Sequence, residues 1–175
     1  SNLIKAFDRM RDNIIHSVKL NDSDELDYSP FLLSESSEST PTFFEIIFID
    51  KTKNRYRYGF EYNLKEIINE WLFVGQNTKN ETALFIRTEE GIGVSDKFKE
   101  GKGKEISTNN NRLFISLVAQ LGGEISKNVI EWFTSYNIIS GLDHKDYDRF
   151  SLRMLHKKLE GCNESLSLFQ TLKLG

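Results

Sequence analysis

The sequence predicts an α+β fold: an N-terminal helix, an antiparallel β-meander and a helical C-terminal half. Three observations carry this expectation. Residues 3 to 18 place apolar side chains at helical spacing, residues 43 to 62 run through an aromatic and β-branched stretch into strict alternation, and from 111 onward the spacing becomes helical again. With 175 residues and 38% hydrophobic content, the chain is long enough for one domain with a proper core, or for a large piece of something bigger. Thirteen Phe, six Tyr and two Trp supply much of the apolar burial, as suits a sheet packed against helices.

In residues 1–20, Leu3, Ile4, Phe7, Met10, Ile14 and Ile15 share one helical face, with charged residues between them. Residues 21–42 shift to Ser, Asp, Glu and Pro, interrupted only by Phe31-Leu32-Leu33, and are expected to form a mobile connector with one short anchored patch. A β-lobe is expected over 43–95. Phe43 to Asp50 reads as a strand, Lys51-Thr52-Lys53-Asn54 as a turn, and Arg55 to Tyr62 as a second strand with Tyr56, Tyr58 and Phe60 on one face. Residues 66–74 and 82–88 read as two more strands, although Leu64, Ile67, Ile68, Trp71 and Leu72 also fit helical spacing. Glu89 to Asn111 reads as a loop or a short extra hairpin around Ile92 and Val94.

The helical part, 111–175, is expected to open with Asn111 capping a helix that ends at Gly122-Gly123. A second helix uses Ile125, Val129, Ile130, Trp132 and Phe133. A third runs from Asp143 to Gly161, and a fourth from Leu166 to Leu172.

The net charge of −3 gives no long-range attraction to nucleic acid or anionic membrane. No apolar run approaches the ~20 residues of a membrane-spanning helix, and no membrane association is expected. The single Cys162 and the lack of a signal pattern make a cytoplasmic location the default expectation.

Several local patterns invite a site and have a plainer explanation. Gly101-Lys102-Gly103-Lys104 resembles a phosphate loop, but no Ser or Thr follows and no buried strand precedes it, so a mobile loop is expected. Arg55-Tyr56-Arg57-Tyr58 interleaves cations with rings as a single-stranded nucleic-acid platform does; strand alternation explains the same pattern. His144, Asp146 and Asp148 beside Asp143 offer metal-ligand types, yet i and i+2 positions on a helix do not face each other, and capping explains them better. His16, His156 and Cys162 stand in no ligand or nucleophile spacing. Glu45, Glu61, Glu66 and Glu70 fall on strands, where two could meet as a nuclease-like pair; edge or solvent-face charges are the commoner outcome.

The first residues, Ser1-Asn2-Leu3-Ile4-Lys5-Ala6-Phe7, read like the hydroxyl residue and helix that follow a phosphate-binding Gly-Lys, and Ser1-Asn2 also fits a remnant of tag cleavage. Together with Pro41 to Ile49, Tyr56 to Glu61, Glu70-Trp71-Leu72-Phe73 and, more weakly, Arg112 to Gln120, this order resembles the N-terminal part of the ATPase head of abortive-infection and phage-defence AAA-type ATPases, relatives of SMC and ABC heads. The resemblance implies part of a P-loop ATPase head that starts just after the Walker A Gly-Lys and ends before the signature and Walker B elements. It implies Ser1 as magnesium ligand, with Asn2 beside it at the nucleotide, and Gln120 as a Q-loop candidate; a solvated helix face is the plainer account of Gln120. ATP and Mg would belong to the parent protein, with none expected on this chain alone and no hydrolysis by it. A homodimer, an effector protein and nucleic acid are the partners the resemblance suggests. The alternatives are a non-catalytic protein-interaction module and, more weakly, a nuclease subunit.

Overall fold

The computed structural model describes residues 2–28, 40–77, 79–136, 145–159 and 161–172, the side chains of 145–148 and 169 excepted. The chain divides into two compact units, Ser1–Tyr136 and Asn137–Gly175.

In the first unit, α1 (Asn2–His16) turns Met10 and Ile14 into the core and runs into a short 3-10 turn, Ser17–Lys19. Of the expected connector, Leu26 is buried and donates its amide to the Leu64 carbonyl at 2.8 Å, and Tyr28 meets the Tyr62 ring edge-on. The Phe31-Leu32-Leu33 patch lies outside the described residues.

Five strands follow: β1 (Thr42–Ile49), β2 (Arg55–Tyr62), β3 (Ile67–Gly75), β4 (Glu81–Thr88) and β5 (Gly91–Val94). They pair antiparallel in chain order. The β1–β2 turn forms because buried Asp50 accepts the amides of Thr52 and Asn54 through Oδ1, each at 2.9 Å. The stretch that fits both periods is a strand. β3 lies between β2 and β4, so its backbone groups are satisfied on both sides by ladders rather than within a helix. The extra hairpin is β4–β5, carrying Ile92 and Val94.

Tyr56, Tyr58, Phe60, Tyr62, Leu72 and Phe85 form the inner face of the sheet, against Ile14, Phe114 and Phe133 from the helices. The Phe85 and Phe114 rings meet edge-on at 4.9 Å, and Phe48 stacks on Trp132 at 4.2 Å. Such pairing adds about 0.5–1.5 kcal/mol per pair to what area burial contributes.

α2 (Phe114–Gln120) and α3 (Glu124–Thr134) complete this unit, separated at Gly122, whose φ of 97 ends α2 as the Gly122-Gly123 pair predicts. Asn111 does not cap α2. Its Nδ2 instead donates to the carbonyls of Asn21 and Asp24 at 2.7 and 3.0 Å, tying the loop before α2 to the segment after α1. Position Leu113 precedes α2 and offers no side-chain acceptor, so the cap must come from elsewhere in the fold. The Gly101-Lys102-Gly103-Lys104 stretch is also not the expected mobile loop. It joins two 3-10 turns, Lys99–Gly101 and Glu105–Ser107, and Gly101 packs so closely that a Cβ there would come within 2.7 Å of the Phe98 ring.

The second unit contains α4 (Lys145–Lys157) and α5 (Cys162–Thr171). α5 begins earlier than expected because Gly161, at φ 84, completes the turn directly before Cys162.

Candidate functional site

The N-terminal half of α1 is held by aromatic packing. Phe7 lies 6.3 Å from both Trp132 and Phe133 and 5.8 Å from Tyr136, and Arg11 Nη1 donates to the Tyr136 carbonyl at 3.2 Å. Arg9 forms an ion pair with Asp27. Ahead of this clamp, Asn2 and Leu3 are exposed at the first turn, and Ser1 lies outside the described residues. Gln120 is the last residue of α2 and is exposed, as a solvated helix face requires. It borders an apolar groove of about 350 Å³ with Ile14, Ile15 and Val18, at the other end of α1. Twelve residues separate Asn2 from Ile14, about 18 Å of helix axis at 1.5 Å per residue. The structure therefore does not bring Asn2 and Gln120 together.

The strand carboxylates do not meet as a pair. Glu45, on the outer sheet face, accepts from Arg57 Nη1 at 2.9 Å and from Trp71 Nε1 at 2.8 Å. Glu61 accepts from Asn69 at 2.5 Å, and Glu66 is exposed. Glu70 points the opposite way and is completely buried. Among the described residues no group of three or more His, Cys, Asp or Glu is placed to hold a metal ion. The side chains of Asp143, His144, Asp146 and Asp148 lie outside the described ones. His16 Nδ1 faces Lys19 Nζ at 3.3 Å, His156 lies in the last turn of α4, and Cys162 is buried and unpaired.

Arg55-Tyr56-Arg57-Tyr58 follows strand alternation. Both tyrosines are in the core, while Arg55 and Arg57 converge on Glu81 at 2.6 and 2.8 Å. Arg57 also sits 4.1 Å above the Phe73 ring. Burial pushes the Glu81 carboxyl up, but hydrogen bonds and charge from Arg55 and Arg57 outweigh it and hold the group below its ordinary range. These cations are satisfied within the sheet and do not present a free phosphate-binding row.

The most connected polar centre links the sheet to the helices. Glu70 accepts the Phe114 amide at 2.7 Å, the Ile115 amide at 3.1 Å and the Tyr58 hydroxyl at 3.0 Å, so a strand carboxylate supplies the cap α2 lacks. Burial raises the Glu70 carboxyl above its usual range despite the charge of Arg87 and the amides of Ile115 and Phe114, and burial beside Glu70 moves the Tyr58 hydroxyl well up. Arg87 is itself buried and donates to the carbonyls of Arg112 and Asn110 at 2.7 and 2.9 Å. Glu100 does for α3 what Glu70 does for α2, accepting from the amides of Ile125 and Ser126 at 3.0 and 2.8 Å. Sequence reasoning named Glu70 only as a strand carboxylate that could join a nuclease-like pair or lie at an edge, and it missed Arg87 and Glu100. A signal existed for Glu70, which shares the strand phase of Leu72 and Val74 and so belongs to the inner face; no local pattern pairs Glu100 with residues 25 positions later.

Beside this centre opens a polar cleft of about 580 Å³, lined in part by Glu66, Arg87, Glu89 and Glu105. The described residues offer no phosphate cradle. The Gly-Lys stretch at 101–104 is spent on turns, with Lys102 paired to Asp96, and α1 is described only from Asn2.

No curated protein and no solved structure matches the chain. A protein family described as "AAA domain, putative AbiEii toxin, Type IV TA system" matches residues 1–169. With nearly the whole length matched, and an α+β architecture consistent with a P-loop ATPase-like domain, the chain belongs to this family of AAA-type, abortive-infection domains.

Proposed function

We propose that the chain is the part of an SMC/ABC-like ATPase head that follows the Walker A glycines and lysine, in a protein that binds ATP and Mg and acts in phage defence or DNA transactions. The observation that carries this reading is the family match over residues 1–169. The architecture agrees with it: a single helix, clamped by Phe7 and Arg11, leads into an antiparallel lobe and then helices. In this reading Ser1 and Asn2 stand at the nucleotide end of α1, Ser1 is the magnesium ligand, and the parent dimerises around nucleotide in the bacterial cytoplasm. Gln120 is not included, since it lies by the far end of α1.

Bound Mg-ATP would supply the phosphoryl group and its charge-neutralising ion. Phosphoryl transfer needs a cradle, a metal ligand and a positioned water together; of these, this chain would supply Ser1 as the metal ligand and the packing that holds α1 in place. The test is equilibrium binding of Mg-ATP to the 175-residue chain and to a form extended through the neighbouring coding sequence. Binding by the extended form that is lost on Ser1→Ala supports the proposal. Failure of the extended form to bind overturns it.

A second reading, a protein-interaction module, is favoured by the outer sheet face, where Phe43, Ile47, Ile49 and Ile86 are exposed and the Phe43 ring lies against the Trp71 indole. It would take over if the extended form bound no nucleotide.

A further inference from the structure

We draw no further inference here: the strongest candidate, the polar cleft at the β3–β5 end of the sheet lined by Glu66, Glu89, Glu105 and Arg87, is an acidic cluster whose deeply buried guanidinium is already engaged by the Arg112 and Asn110 carbonyls, and the unpartnered Glu105 Oε2 beside it belongs to a side chain only partly buried.

Discussion

Glu70 and Arg87 stand directly opposite each other on β3 and β4, and the two side chains hold the backbone on both sides of the start of α2. Arg87 takes the carbonyls of Asn110 and Arg112; Glu70 takes the amides of Phe114 and Ile115. The same short segment reaches α1 and its following turn, through Ser116 Oγ donating to the Ile14 carbonyl at 2.7 Å and the Leu113 amide donating to Ser17 Oγ at 2.6 Å. One cross-strand pair thus fixes where the sheet, α1 and α2 meet.

Removing Arg87 would leave a buried carboxylate without its counter-charge and two carbonyls without their donor. Arg87 and Glu70 are not in ion-pair contact, so the cost is that of leaving buried hydrogen-bonding groups unsatisfied, about 1–3 kcal/mol. Arg87→Met is therefore expected to lower unfolding stability by that order, measured as a shift of the urea midpoint. A loss below about 1 kcal/mol would mean that water or local relaxation replaces the guanidinium.

Glu100 makes a smaller and more local prediction. It caps α3 from a distant turn, and its Oε1 also accepts from Ser126 Oγ at 2.7 Å. Glu100→Ala should cost about 0.5–2 kcal/mol, the range for a lost N-cap. Hydrogen exchange should localise the effect: faster exchange at Ile125 and Ser126, with the β2 amides unchanged. Uniform acceleration across both regions would show that the carboxylate supports the whole unit rather than the helix start.

Gly59 is required by the outer sheet face rather than by its backbone angles. A Cβ there would lie 2.5 Å from Trp71 Cζ2 and 2.6 Å from the Phe44 carbonyl oxygen. The indole can lift, but the β1 backbone cannot yield without disturbing its pairing with β2. Gly59→Ala should destabilise by about 1–3 kcal/mol, as overpacking does, and shift the tryptophan emission. Adding Trp71→Ala should restore only part of the loss, because the carbonyl contact remains. Full recovery would place the whole strain on the indole.

The second strand and its inner face were legible because a period of two survives in Tyr56, Tyr58 and Phe60, and the Gly122-Gly123 stop because glycine marks a helix end. The β3 ambiguity was not resolvable locally: Ile67, Ile68, Trp71 and Leu72 fit both periods, and pairing with β2 and β4 decided it. Asn111 misled for a related reason. A cap is chosen by which acceptor reaches the helix start in space, and Glu70, from a strand 44 positions earlier, displaced the adjacent asparagine. The family was legible in the order of segments. Gln120 depended on a distance along α1 that spacing does not reveal.

Glu81 carries a pH prediction with a defined sign. Its carboxyl is held below its ordinary value in the folded chain by Arg55 and Arg57, against the opposing effect of burial. The folded state therefore binds that proton less readily than the unfolded state. Its contribution to stability is fully present above the unfolded pKa, about 4.3, and is lost as pH falls through the lower folded value. Glu70 runs the other way, since its raised value makes stability fall as pH rises through it. Comparing wild type with Glu81→Gln isolates the first effect, because Glu70 is common to both. The two urea-midpoint curves should be separated at pH 7 and converge as the pH is lowered from about 5 toward 3. Curves that stay parallel over that range would mean the Arg55 and Arg57 contacts do not depend on the charge of Glu81.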